Sequence, residues 1–381
     1  MVTFRAASRF AELRLLVLVA ALLLLGYFAV VASALASFSA TPVVVPVTFL
    51  ALMLGLHLFL VARGTRGDQL LLPLALALTA LGLVEVQRLA PDRLALQQLT
   101  WSALAALAFV GVMLVPRDLS VLSRYKYTWA LLGLVLLLSP LIPGLGREIN
   151  GARIWIGVGG LFQFQPSEAV KLILAVFFAA YLDEHREMLS SPPRRFGPVP
   201  VPPLPYLLPI LGMWALAMVV MVFEKDLGAT LLFFGIFLAM LYLATGEAFY
   251  TLLGAALLVL GGFVAYQVFG HVQARVDTWL APFSDELRFG PRFQLVQGLF
   301  AFGNAGLVGA GLGNGMPERI PVVWSDFVFA AFTEETGFIG GLALLALYLI
   351  FVYRGMLIAL RAPTTFLQLL AAGLAFIVAF Q

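Results

Sequence analysis

The chain of 381 residues is 62% hydrophobic and 11% charged, with a mean hydropathy of +1.01, which leaves too little polar surface to cover a soluble globule. Cysteine is absent, so disulfides, thiolate nucleophiles and thiolate metal sites are excluded. The net charge of +3 decides little, because in a membrane protein what counts is which side carries the positive residues.

A hydrocarbon core of ~30 Å takes about 20 apolar residues per helix, and the sequence offers roughly eleven such runs. They are too long for barrel strands and lack the polar alternation of a barrel lumen. The expected fold is therefore all-α, a polytopic transmembrane helical bundle. Arg5, Arg9 and Arg14 precede a first run over 15–32, read as a retained helix because no small-residue cleavage site and soluble domain follow. Further runs cover 43–61, 70–86, 96–115 and 129–142, and a sixth starts at Pro166, a favourable first-turn residue, and reaches 181. A proline-rich linker, 182–205, is expected to be extended. Runs over 206–223, 227–244 and 249–269 follow, then a long outer loop, 270–325, then 327–353. The last run, from Phe366, has about 15 apolar residues and reads as a helix that the sequence leaves incomplete. Starting inside, this topology puts about 13 Lys and Arg on the cytoplasmic side against about 5 in the short outer loops. The N-terminus is thus expected in the cytoplasm and the long loop outside.

That loop and the start of the next helix concentrate Arg275, Asp277, Asp285, Glu286, Arg288, Arg292, Glu318, Arg319 and Asp326 in a chain with few charges. Ionisable groups near lipid are costly, so such a concentration points to binding or chemistry. Smaller constellations accompany it. Asn150, Gly151 and Arg153 open an outer stretch rich in aromatic residues and glycine, suited to the headgroup region. Glu168 and Lys171 stand three residues apart on one helix face, Lys171 roughly 7 Å below the helix start. They form either a structural ion pair or a substrate-facing pair. Asp226 is placed to cap the helix that begins at Leu227. Gly303, Gly306, Gly309, Gly311, Gly313 and Gly315 leave a segment almost free of side chains, fit either to cradle phosphate or to pack helices closely. Asp326 suits the positive end of the following helix, whereas Glu334 and Glu335 lie about two turns in, beyond that explanation.

The runs NGARIWI, FQPSEAVK, KDLGATLLFF, WLAPFSD with FQLVQG, GLVGAGLGNG and SDFVFAAFTEETG occur in an order and spacing that resembles the SEDS family, in its RodA/FtsW branch, from about Asn150 to the end. Phe293, Gly298, Ala305, Trp324 and Lys225 depart from the family's usual residues. The resemblance implies a peptidoglycan glycosyltransferase of the bacterial inner membrane that polymerises lipid II into glycan strands beside a class B penicillin-binding protein. It implies a catalytic role for Asp285, and a divalent cation (Mg or Mn) with no ligand set that can be named; no organic cofactor and no nucleic acid are expected. It also divides the chain into 1–127, N-terminal helices with two more than shorter members have, and 128–381, the catalytic core, without the family's C-terminal Pro, Ser and Gly-rich motif.

The chemistry can be argued from residues too. Joining a sugar to one carried on a lipid diphosphate needs a base for the acceptor hydroxyl and positive charge for the departing diphosphate. Asp285 is the expected base, its alternative being a turn or helix cap in SDEL. Arg153, Arg275, Arg288 and Arg292 are candidates for the diphosphate. Glu168, Lys171, Asp226, Gln297, Asp326, Glu334 and Glu335 complete the expected substrate-binding set. Two other classes of function stay open: a flippase for lipid-linked precursors, which needs a polar path across the bilayer, and a non-catalytic scaffold for a transpeptidase, which would tolerate loss of the Asp285 charge.

Overall fold

The computed structural model describes residues 9–33, 41–90, 93–115, 118–149, 152–158, 162–190, 194–196, 199–201, 212, 215, 227–283 and 292–381. Its helices are α1 (Phe10–Ser33), α2 (Thr41–Ala62), α3 (Leu71–Leu89), α4 (Arg93–Leu114), α5 (Ser120–Arg124), α6 (Lys126–Leu138) and α7 (Pro166–Ser190). They continue as α8 (Leu227–Thr245), α9 (Ala248–Val268), α10 (Gly270–Leu280), α11 (Phe293–Ala305), α12 (Val323–Asp326), α13 (Val328–Arg361) and α14 (Thr365–Phe380). Among the described residues, seven helices are long and apolar enough to cross a membrane, and Lys126–Leu141 and Thr365–Phe380 are shorter apolar helices. The molecule is thus a helical multi-pass membrane protein. Ten of the apolar runs read from the sequence coincide with helices, and the run over 206–223 lies outside the described residues apart from two positions.

The chain forms two compact units, each discontinuous in sequence. The first comprises Met1–Val115 and Ala265–Phe351. Its core lies where α1, α2, α3 and α4 pack together around Leu16, Leu23, Phe49, Leu83 and Val84. Lipid offers no hydrophobic drive for helices to associate, so close approach at small residues does that work. Gly26 of α1 is such a point: a Cβ there would lie 2.8 Å from Val84 Cγ2. Leu18, Leu25 and Phe28 on the opposite side of α1 are exposed, as a lipid-facing surface requires.

The second unit comprises Pro116–Val264 and Val352–Gln381. Here α7 is the centre, packed on α6, α8 and α14, with Phe177, Phe178, Tyr181, Phe237 and Met240 buried between them. Phe178 and Phe237 meet with ring centroids 5.3 Å apart. A small antiparallel sheet, β1 (Gly146–Ile149), β2 (Ala152–Val158) and β3 (Phe162–Phe164), precedes α7. In register, Arg147 faces Trp155 and Ile156 faces Phe164. The stretch assigned to the headgroup region is therefore strand, because Ile154, Trp155 and Ile156 prefer a pleated surface.

Three boundaries differ from the sequence reading, the first being the end of α13, which reaches Arg361 where Tyr353 was expected. Residues 182–190 continue α7 where a linker was expected: Leu182 and Leu189, seven apart, are both buried, and Tyr250 Oη donates to Leu189 O at 3.0 Å. Beyond them β4 (Arg194–Phe196) and β5 (Val199–Val201) form a short hairpin. The segment 270–325 is not a plain loop either, since it holds α10, α11 and a turn of 3-10 helix at Pro317–Arg319. Neither α10 nor α11 is long enough to span a bilayer.

Candidate active site

The first unit places the charged segment on three pieces of structure. Helix α10 carries Arg275, which is exposed, and Asp277, whose Oδ1 accepts from Tyr266 Oη at 3.1 Å. Helix α11 begins directly after Arg292, a residue only 5% exposed, whose Nη1 donates to the carbonyl of Ala281 at the end of α10. Arg292 thus fastens together the two ends of the chain that flank 284–291. Asp285 and Arg288 lie within that segment, outside the described residues, and Asp226, just before α8, also lies outside them. Gln297 is half-buried on α11, and Gln294 Nε2 donates to Pro321 O at 2.8 Å.

After α11 the chain runs through the glycine segment, and here the structure settles what the glycines do. Gly306, Gly309, Gly311 and Gly313 all have positive φ. Helix α13 is broken at Gly337 (φ 75°, ψ 178°), a conformation open essentially to glycine alone. The glycine segment pairs with that break: Gly311 N donates to Glu335 O at 2.9 Å, Ala310 N to Glu334 O at 3.0 Å and Phe338 N to Gly306 O at 3.0 Å. A Cβ on Gly309 or on Gly337 would overlap the backbone of the other strand. The segment is a close-packed crossing of two pieces of backbone.

The anion those amides face is a protein carboxylate. Glu335, 2% exposed, takes the N–H of Gly313 at 2.7 Å on Oε2 and that of Gly315 at 3.3 Å on Oε1. Arg88, from the last turn of α3, donates Nε to Glu335 Oε1 at 2.9 Å and Nη2 to Gly315 O at 3.2 Å. Glu318 lies 3.9 Å from the same guanidinium. Glu335 is expected in the substrate-binding set, yet its carboxylate is engaged by Gly313, Gly315 and Arg88. Glu334 is buried as well, and its Oε2 has no hydrogen-bond partner. Asp326 ends α12 and is exposed. The residue before α12, Val322, has φ 52° and ψ 37°, a left-handed conformation that a β-branched residue adopts only under strain.

The second unit holds the remaining candidates. Lys171, 5% exposed, pairs with Glu168 Oε2 at 2.7 Å at the head of α7. The pair borders a cavity of about 180 Å³ that is also lined by Gln165, Ser167, Phe233 and Gln381. The ion pair and the cavity coexist, so the two readings of these residues are compatible. Arg153 on β2 is exposed and bonds Glu148 Oε2 at 3.2 Å.

Three ionisable groups in helices went unanticipated, two of them buried and the third, Arg88, half-buried. Glu12, fully buried in α1, accepts from Arg9 just before the helix and lies 2.6 Å from His57 Nδ1 on α2. Glu85, 3% exposed on α3, leaves Oε1 without a partner. Arg88, the key partner of Glu335, sits at the end of an apolar run, and only its position as a basic residue in a last helical turn marked it. Among the described residues, no three His, Asp or Glu side chains gather so as to hold a metal ion.

A family model described as cell cycle protein, covering FtsW, RodA and SpoVE, matches residues 68–381. The chain is 41% identical over 345 residues to the peptidoglycan glycosyltransferase RodA of Mycobacterium tuberculosis, covering 87% of this chain and 72% of that protein. It is 36% identical over 262 residues to the stage V sporulation protein E of Bacillus subtilis, covering 67% of each. Among solved structures it resembles a chain of a peptidoglycan synthase complex, solved in a study of how polymerization and crosslinking are coordinated (TM-score 0.65, 27% identity, 83% of this chain and 84% of that one). It also resembles the Thermus thermophilus rod shape determining protein RodA (TM-score 0.54, 25% identity, 83% and 82%).

Proposed function

Because the chain belongs to the cell cycle protein family of FtsW, RodA and SpoVE, we propose that it builds glycan strands at the outer face of the bacterial inner membrane, with lipid II as substrate. It is a membrane-embedded peptidoglycan glycosyltransferase, as its relatives are named. The observation that carries the reading is the identity to named glycosyltransferases over 87% of the chain, with the charged segment built into the same compact unit as the glycine crossing.

In the proposed reaction Asp285 takes the proton from the 4-hydroxyl of the acceptor GlcNAc as that oxygen attacks C1 of the lipid-linked MurNAc. The new C–O bond forms with inversion as the bond to the diphosphate breaks, and the lipid diphosphate leaves with the electron pair. Arg275 and Arg288 are the cations assigned to that leaving group. Arg292 acts differently: its bond to Ala281 holds the ends of the segment that bears Asp285. Glu168 and Lys171, beside their cavity, are assigned to the substrate's polar groups, and Asp226, Gln297, Asp326 and Arg153 remain assigned to binding. Glu335 passes from that set to the framework. The partner, by the same reading, is a class B penicillin-binding protein that cross-links the product.

A flippase needs a polar path through the helices. In the first unit the buried groups lie at opposite ends of the helices, Glu12 in the first turn of α1 and Glu85 near the end of α3, and the core between them contains Leu16, Val19, Leu23 and Leu83. That favours chemistry at one face over translocation. Incubation of the purified full chain with labelled lipid II tests the proposal. Wild-type protein is expected to yield polymer and Asp285→Asn none, with unchanged elution on size exclusion. Undiminished polymer from Asp285→Asn would refute the role of that residue, and translocation of lipid II in proteoliposomes without polymer would favour the flippase.

A further inference from the structure

The family match begins at residue 68, so α1 and α2 lie ahead of it, yet α1 is built into the glycine crossing. Along α1, Gly26 packs on Val84, and Tyr27 Oη donates to Leu83 O at 3.2 Å. At the end of α1, Ser33 lies so close to Gly313 that a Cβ there would overlap its Oγ. About one turn beyond Leu83 and Val84 on α3 stands Arg88, which holds Glu335 and the carbonyl of Gly315. The Gly313–Gly315 stretch is therefore gripped by Arg88 and Glu335 and met by the last residue of α1. The same stretch follows α11, whose start is tied through Arg292 to the chain that flanks Asp285.

From this geometry we propose that Arg88 is a positioning residue for glycosyl transfer, and that α1 is its brace. Arg88 acts through Glu335: it holds the glycine crossing in one arrangement, and the crossing fixes the far end of α11. A guanidinium is suited to this because it bonds a carboxylate and a carbonyl at once from a planar fork. Loss of Arg88 leaves Glu335 buried with two glycine amides and no countercharge, so the crossing loosens and α11 loses its anchor. Small displacements of this kind lower the rate of the chemical step with little effect on substrate affinity. Arg88 itself need not touch substrate.

This inference rests on the glycosyltransferase reading for its kinetic arm and on the fold alone for its structural arm. Because the chain lacks cysteine, Leu312→Cys gives a single half-buried thiol within the crossing, and Arg66→Cys a water-exposed control in the turn between α2 and α3. With the full chain in lipid nanodiscs, Arg88→Ala is expected to raise maleimide labelling at Leu312→Cys about tenfold, the loss of one charged hydrogen-bonding partner, while leaving Arg66→Cys unchanged. In polymerisation of labelled lipid II, kcat is expected to fall about 100-fold with KM nearly constant. Arg88→Lys, which keeps the charge but not the fork, should recover part of that loss. If Arg88→Ala does not fold, Arg88→Gln and Ser33→Leu, which crowds Gly313 from the other side, are expected to show the same split between kcat and KM. Labelling at Leu312→Cys that matches the parent, or a kcat in a folded Arg88 variant that matches wild type, overturns the proposal. Wild-type protein that makes no polymer would count against the glycosyltransferase reading, and the labelling arm would still decide this one.

Discussion

Gly337 and Gly303 show how differently one residue type is used within a few dozen positions. Gly337 has φ 75° and ψ 178°, and a methyl group there would strike the backbone of Leu307 and Gly309. Gly303 lies inside α11 with nothing within 4 Å of where a Cβ would go. Gly337→Ala is therefore expected to cost more than the ~1–3 kcal/mol of backbone strain alone and to leave little folded protein. Gly303→Ala is expected to be neutral or to stabilise by up to ~1 kcal/mol. Thermal unfolding followed by size exclusion in detergent separates the two, and equal behaviour would show that the crossing is not close-packed. Glu12 offers a second test at this scale. Its removal strands Arg9 and His57 in the interior, and Glu12→Ala is expected to destabilise by about 3–5 kcal/mol in the same assay.

Among the elements, α7 and its partners show what helix packing in lipid depends on. Gly133 of α6 lets the helix approach α7 so closely that a Cβ would lie 3.1 Å from Ile173 Cγ2. Gly133→Leu is expected to force the two apart and cost about 1–3 kcal/mol, read as a lower midpoint of thermal unfolding. A midpoint equal to wild type would mean that α6 and α7 separate without penalty. The element scale is also where the sequence was most and least informative. Long apolar runs announce themselves by length, so α1 to α4, α8 and α9 were legible within a few residues, whereas α13 runs on to Arg361, eight residues past the expected end at Tyr353. Helix α7 extends beyond its apolar run because Leu182 and Leu189 are buried, although Asp183, Glu184, Arg186 and Glu187 have the composition of a linker. The sheet before α7 and the crossing at Gly337 escaped because both depend on pairing between distant backbone segments, which no local period encodes. For the same reason Glu335 read as a ligand-binding acid: its partner Arg88 is 247 residues away.

On the scale of the whole molecule, the family carries the function and the two compact units carry its parts. The charged segment, the glycine crossing and the half-buried Arg88 belong to the first, and the Glu168 and Lys171 cavity to the second. Orientation links them to the chemistry, because an acid that serves an extracytoplasmic substrate must itself be extracytoplasmic. The absence of cysteine makes the decisive measurement clean. Asp285→Cys, expressed in intact cells and exposed to a membrane-impermeant maleimide, is expected to label from outside without permeabilisation. Labelling that needs the inner membrane to be opened would put residue 285 in the cytosol and contradict the account.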